Sequence, residues 1–395
     1  MIYGLILFII TKEEINMKKY VPYLLLVVSC LSMVGCTADP DEVTFSLAEL
    51  GNNVNFHTDL QKNFWNDTDF DENLSTYGMG MVDNANPLPI TLNWSVTSAL
   101  SYTVQISENS DMTNGWSFTS KKKNFDLYNC KIRTTYYWTV TATYKSHSFT
   151  SEVSSFSTSD IGPRNIYADG VMNIRDIGGY QIGETANYVK QGMIYRCAKL
   201  NESSVLTPTY NITENGIQTM VNQLGIKSDI DLRKVDIDED GIAEIGGITS
   251  SPLGDNINYY SCPLYYDGTT VIEHTNTEKN VYNKANIVRF FDYLAEETNY
   301  PMIFHCTQGK DRTGALAYVL ESLLNVNSNN TIHDYLFTNL SDVEGSYCKT
   351  TAVTRGFDLY INRAEGTTFQ EKTYNYLTSI GVSASTLDAV IDILS

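Results

Sequence analysis

Met302-Ile303-Phe304-His305-Cys306-Thr307-Gln308-Gly309-Lys310-Asp311-Arg312-Thr313-Gly314 opens as a short apolar run. Leu316, Val319, Leu320 and Leu323 follow at helical spacing. The pattern predicts a buried strand, a tight loop and a helix. A Cys and an Arg with five residues between them at such a junction have a specific chemical use. The backbone N–H groups of so short a loop can converge on one centre, and the positive end of the next helix adds to the same point. Thr307, Gln308, Gly309, Lys310 and Asp311 are expected to line this phosphate-sized cradle. Arg312 would close it with two parallel N–H donors, a fork that Lys lacks. A free thiol titrates near ~8.5 and falls beside cations and helix ends, so Cys306 is expected to be a thiolate nucleophile. Thr313 is placed to hydrogen-bond the sulfur. The alternative, a buried Cys and a surface Arg that share a turn, is disfavoured by the length of the string.

Working outward, strands and helices alternate. Ile217, Met220, Val221 and Leu224 mark a helix that stops at Gly225. Ile226–Leu232 and Tyr259–Leu264 read as strands. Ile287, Phe290, Phe291 and Leu294 mark another helix, and Leu387, Val390, Ile391 and Leu394 the last. The expected architecture for 164–395 is an α/β domain with a mostly parallel central sheet flanked by helices. Residues 85–158 differ. Leu92 and Trp94, then Tyr102, Val104 and Ile106, then Tyr136, Trp138 and Val140 alternate with polar residues, which predicts an all-β sandwich. A linker is expected at Ser157–Pro163, and 37–84 reads as a tether plus a first strand or as a loosely ordered segment.

Residues 1–36 read as a leader. Met17-Lys18-Lys19 precedes an apolar stretch from Tyr20 to Val34 that ends at Gly35-Cys36. The stretch suits a signal peptide better than a membrane span. A small residue before Cys resembles the bacterial lipoprotein signal, which implies lipidation at Cys36 and a location in the bacterial cell envelope, on its periplasmic face or at the cell surface. The net charge of −19 and the lack of a basic run argue against a nucleic-acid partner. Of seven Cys, five follow Cys36, and an odd number leaves at least one thiol unpaired in an oxidising compartment. No Cys-x-x-Cys or His-Glu-x-x-His spacing occurs, so neither a metal nor another cofactor is expected.

The 305–314 string resembles the active-site loop of cysteine-dependent tyrosine phosphatases, and its Lys310-Asp311 pair resembles the atypical bacterial tyrosine/serine phosphatases. Asn173–Tyr180, Ile194–Leu200, Asp229–Arg233 and His333–Asn339 are similar to further signatures of that family. The resemblance spans about 165–395. Cys197 departs from it by replacing an expected Ser, and 201–216 and 235–256 look like insertions. It implies hydrolysis of phosphomonoesters, with protein phosphotyrosine as the leading substrate and dual specificity allowed. Phosphoinositides or inositol phosphates are the alternative substrates, and a catalytically silent surface-binding lipoprotein is an alternative of another class. Residues 85–158 resemble a fibronectin type III domain with Tyr136 as its tyrosine corner, which implies a spacer or a module for a protein or glycan partner.

The leaving oxygen needs a proton donor, commonly a carboxylic acid. There is no Trp-Pro-Asp triplet. Asp311 lies in the loop, where atypical bacterial phosphatases also carry Asp. Asp267 follows a strand, as in dual-specificity phosphatases, and Asp231 ends another. All three are candidates. Lys310 would bind a second phosphate or act as a surface lysine that raises the local potential. His305 is expected to orient the loop.

Overall fold

The computed structural model describes residues 43–77, 83–201, 211–234, 248–266, 271–341, 343 and 348–395. The leader, Cys36 and Asp267 lie outside these residues.

A five-stranded sheet organises the carboxyl-terminal half. In chain order its strands are β9 (Arg175–Asp176), β10 (Ile194–Cys197), β11 (Ser228–Asp231), β12 (Asn258–Ser261) and β13 (Met302–His305). In space the order is β12-β11-β13-β10-β9. Four strands run parallel, and β9 pairs antiparallel with β10 at one edge, so the sheet is mixed. β13 lies between β10 and β11. Parallel strands buried on both faces need not alternate, and every residue of β10, β11 and β13 is buried. Asp231 and Cys197 both stand beside His305 in register. The carboxyl ends of three strands therefore meet where the Cys306 loop begins.

The helix expected at Ile217 is short. It is one turn, α3 (Glu214–Gln218), which widens into a π-turn over Thr219–Gln223. Gly225 ends it at φ +70°. α4 (Thr277–Leu294) presents Ile287, Phe290, Phe291 and Leu294 to the core. α5 (Arg312–Leu323) is not one-sided as its spacing suggested, since all of its residues are buried. α6 (Ser328–Phe337) packs beside it, and α7 (Phe369–Ser379) and α8 (Ala384–Leu394) complete the layer.

The amino-terminal half holds two antiparallel sheets. β1 (Ser46–Leu47), β2 (Ile90–Ser95) and β5 (Asn124–Leu127) form the first. β4 (Trp116–Ser120), β3 (Ser101–Ser107), β6 (Thr135–Thr143) and β7 (Ser148–Thr150) form the second, with β8 (Ser154–Ser157) also on β6. Leu92, Trp94, Val104, Ile106, Trp138 and Val140 share one core, as the alternation predicted. Tyr136 Oη accepts the Lys131 N–H at 2.8 Å.

The stretch before β2 is more than a tether. Thr58 and Gln61 form a capping box on α1 (Asp59–Trp65), and α2 (Phe70–Tyr77) follows. Phe64, Phe70 and Tyr77 join the core of the carboxyl-terminal half. Phe64 meets the α6 residues His333 and Phe337 edge-on, and Thr350 bonds Asp71. The junction after Ser157 is equally tight. Arg164 donates to Asn129 O at 2.7 Å and to Asp176 Oδ2 at 2.7 Å, and Ile132 N donates to Gln191 Oε1 at 2.9 Å.

Candidate active site

The loop from Cys306 to Asp311 joins the end of β13 to the start of α5. Three of its carbonyls are held from outside. Thr307 O accepts from Lys199 N–H at 3.1 Å, Gln308 O from Asn173 Nδ2 at 3.0 Å, and Gly309 O from Arg196 Nη2 at 2.7 Å. In a trans peptide the C=O and the next N–H point in opposite directions. With these carbonyls turned out, the N–H groups of Gln308, Gly309 and Lys310 turn inward. Gly309 sits at φ +66°, and a Cβ there would lie 2.4 Å from Cys197 O, so only glycine lets the loop lie against β10.

Cys306 is buried at 2% exposure. Burial pushes its thiol up, but the Arg312 guanidinium and hydrogen bonds from the Thr313 hydroxyl and backbone outweigh this, and its pKa falls below the ordinary thiol value. The Thr313 hydroxyl is fully buried and faces the sulfur. Arg312 Nη2 donates to Thr307 Oγ1 at 3.3 Å, which folds the guanidinium back across the loop. The arrangement is a ring of inward amides, a guanidinium and a helix N-terminus around one acidified thiol, and it can hold a tetrahedral dianion in front of the sulfur.

The tyrosine phosphatase family profile matches residues 166–394. The chain belongs to the tyrosine phosphatase family. No curated protein matches it. Among solved structures, the core catalytic domain of the PP-IP phosphatase SIW14 from S. cerevisiae is 15% identical, covering 42% of this chain and 82% of its own, with a TM-score of 0.25. P. aeruginosa TpbA is 16% identical, covering 49% of this chain and 89% of its own, with a TM-score of 0.27.

Around the loop of this phosphatase the candidate acids have different surroundings. Asp231 is fully buried and clamped. It accepts from Arg233 N–H at 2.9 Å, from Arg233 Nη2 at 2.7 Å and from Tyr259 Oη at 3.0 Å. Burial alone would raise its pKa, but His305 and Arg233 hold it below the usual carboxylate value. A carboxylate so held serves as a brace between Arg233 and Tyr259. Asp311 is the N-cap residue of α5, yet its side chain makes no capping bond. It is half-buried, next to Arg312, and its charge reaches Tyr335 and Cys348.

His305 Nε2 lies 2.9 Å from Asp229 Oδ1, and Nδ1 lies 3.4 Å from Cys306 O. Burial lowers its pKa, but Asp231 and Asp229 overcome this and raise it. Ser251 donates to Asp229 Oδ2 at 2.7 Å. The imidazole thus ties the loop to β11. Lys310 is not the surface lysine that its sequence setting allowed. It is 8% exposed, and its charge acts on the buried Cys348.

Two supports were missed at the sequence level, Arg196 and Asp334. Each interrupts an otherwise apolar or aromatic segment, Ile194-Tyr195-Arg196-Cys197 and Tyr335-Leu336-Phe337 after Asp334. A charge set among core residues was the available signal.

Proposed function

We propose that this phosphatase hydrolyses phosphomonoesters through a phosphocysteine intermediate, with Cys306 as nucleophile. The supporting observation is the buried thiol acidified by Arg312 and Thr313. The Cys306 thiolate attacks phosphorus as the bond to the leaving oxygen breaks. Amides of Thr307–Asp311 and the Arg312 guanidinium stabilise charge on the three equatorial oxygens. Asp311 gives its proton to the leaving oxygen. Water then attacks phosphorus, the S–P bond breaks, and Asp311 takes up the water proton, releasing inorganic phosphate and the thiolate. The Thr313 hydroxyl stabilises sulfur as it departs. Asp311 is favoured over Asp231 because Asp231 is already committed to Arg233 and Tyr259. An Asp311→Asn variant should lose more rate on phenyl phosphate than on p-nitrophenyl phosphate; equal losses would remove Asp311 from this role.

The leading substrate is protein phosphotyrosine. A second reading, inositol phosphates or phosphoinositides, is favoured by Lys310 held within the loop at 8% exposure. We read the two antiparallel sheets as a fibronectin type III-like sandwich, and Cys36 as the lipid anchor of an envelope protein; loss of palmitate labelling in Cys36→Ala tests the anchor.

The test of the whole reading is turnover of phosphotyrosine peptides and inositol phosphates under reducing conditions. Wild type should release phosphate and Cys306→Ser should release none. Equal, null behaviour of the two proteins would favour a silent binding scaffold.

A further inference from the structure

Beneath the loop lies a buried charge cluster whose members come from four separate elements. Asp334, on α6, is 1% exposed. Its Oδ1 accepts from Arg175 Nε at 2.6 Å, and its Oδ2 from Arg196 Nη1 at 2.5 Å. Tyr180 Oη adds a bond to Oδ1 at 3.3 Å. Each guanidinium then reaches toward the cradle. Arg196 uses its other terminal nitrogen on Gly309 O at 2.7 Å. Arg175 Nη1 donates to Asn173 Oδ1 at 2.7 Å, and Asn173 Nδ2 donates to Gln308 O at 3.0 Å.

We propose that Asp334, through Arg196 directly and through Arg175 and Asn173 in relay, is a positioning residue that keeps consecutive loop carbonyls turned outward and so keeps the Gly309 and Lys310 amides aimed at phosphate. The inference rests on the phosphatase reading of the Cys306 loop. Without these donors, the carbonyl oxygens are free to rotate toward the anion, where their negative ends would repel it. A pre-organised donor ring avoids that reorganisation during reaction.

A second feature fits the same role. Glu321 is fully buried on α5, beside Asp334. Burial and the Asp334 charge keep its carboxyl protonated far above the ordinary glutamate range. A protonated Glu321 adds no second negative charge against the two guanidinium groups that Asp334 holds.

The test uses the full chain carrying Arg196→Lys. Lysine keeps a cation against Asp334 but cannot bond Asp334 and Gly309 O with one planar fork. The expected result is at least a tenfold rise in the inhibition constant of vanadate and in KM for p-nitrophenyl phosphate, with the pH midpoint of iodoacetate alkylation of Cys306 moved upward. Asn173→Ala, which frees Gln308 O and leaves the ion pairs in place, should move the same readouts by a smaller factor. A purely structural role would lower the melting temperature and leave the folded enzyme's vanadate affinity and alkylation midpoint unchanged. If Arg196→Lys does not fold, Asn173→Ala decides alone. A folded variant with wild-type vanadate affinity and alkylation profile overturns the proposal. Should phosphate fail to protect wild-type Cys306 from iodoacetate, the phosphatase reading itself fails, so the two failures are distinguishable.

Discussion

The amino-terminal sheets and the phosphatase half bury different chemistry. Among the described residues from 83 to 160, every Lys, Arg, Asp and Glu is exposed or only half-buried, and the interior is Trp94, Trp138, Tyr102, Val104, Leu92 and similar residues. Past Pro163, Arg164, Arg175, Asp176, Arg196, Asp229, Asp231, Arg233, Glu321 and Asp334 are each 2% exposed or less. Burying a charge costs several kcal/mol even when it is paired, and a buried ion pair commonly adds little net stability. The first half follows the rule for a fold that has only to be stable. The second departs from it around one loop: most of these charges hold the loop or hold a holder, Arg164 and Asp176 join the halves, and Glu321 lies beside Asp334.

Three substitutions sharpen that contrast, from the largest effect to the smallest. Arg312→Lys should lower kcat/KM by about a hundredfold or more, the scale of removing an oxyanion donor, with thermal stability close to wild type; steady-state kinetics and calorimetry check it. Trp138→Ala, in the middle of β6, should cost about 3–5 kcal/mol of stability as a large-to-small core change. Its signature is the reverse: a lower denaturation midpoint at unchanged kcat/KM per folded molecule. Glu321→Gln should have the smallest effect, and its sign is fixed by pH. An ordinary glutamate titrates near ~4.3, and Glu321 is raised far above that. The wild-type fold is favoured below the ordinary value and loses that advantage as pH rises toward the raised one. The glutamine variant should therefore match wild type in acid and be the more stable of the two at neutral pH, with kcat/KM retained. Denaturant titrations at two pH values measure the difference.

The Cys306 loop was legible in the sequence because Cys306, Gly309, Arg312 and Thr313 lie in one short stretch that runs from a readable strand into a readable helix. The amino-terminal strands were legible because one face is buried and the other wet, which writes period two into the residues. What supports the cradle was not. Arg196 and Asp334 are 138 positions apart, and nothing local pairs them. The placement of α1 and α2 was hidden for a similar reason. Phe64, Phe70 and Tyr77 are too few to show periodicity, and their partners His333 and Phe337 come from the other end of the chain. α5 misled in its detail, because a helix covered on all sides shows only part of its burial as spacing. The proton donor stayed open in sequence because an Asp beside a strand end reads alike whether it is free or, like Asp231, held by Arg233.

The most direct measurement is the pH dependence of Cys306 alkylation by iodoacetate, with and without inorganic phosphate, in the intact protein. A thiol whose pKa is lowered in the fold reacts at full rate below the ordinary value of ~8.5 and loses reactivity only as pH falls through its own lower value. The account predicts that profile, with phosphate slowing the reaction. A midpoint at or above the ordinary thiol value, or no protection by phosphate, would contradict it.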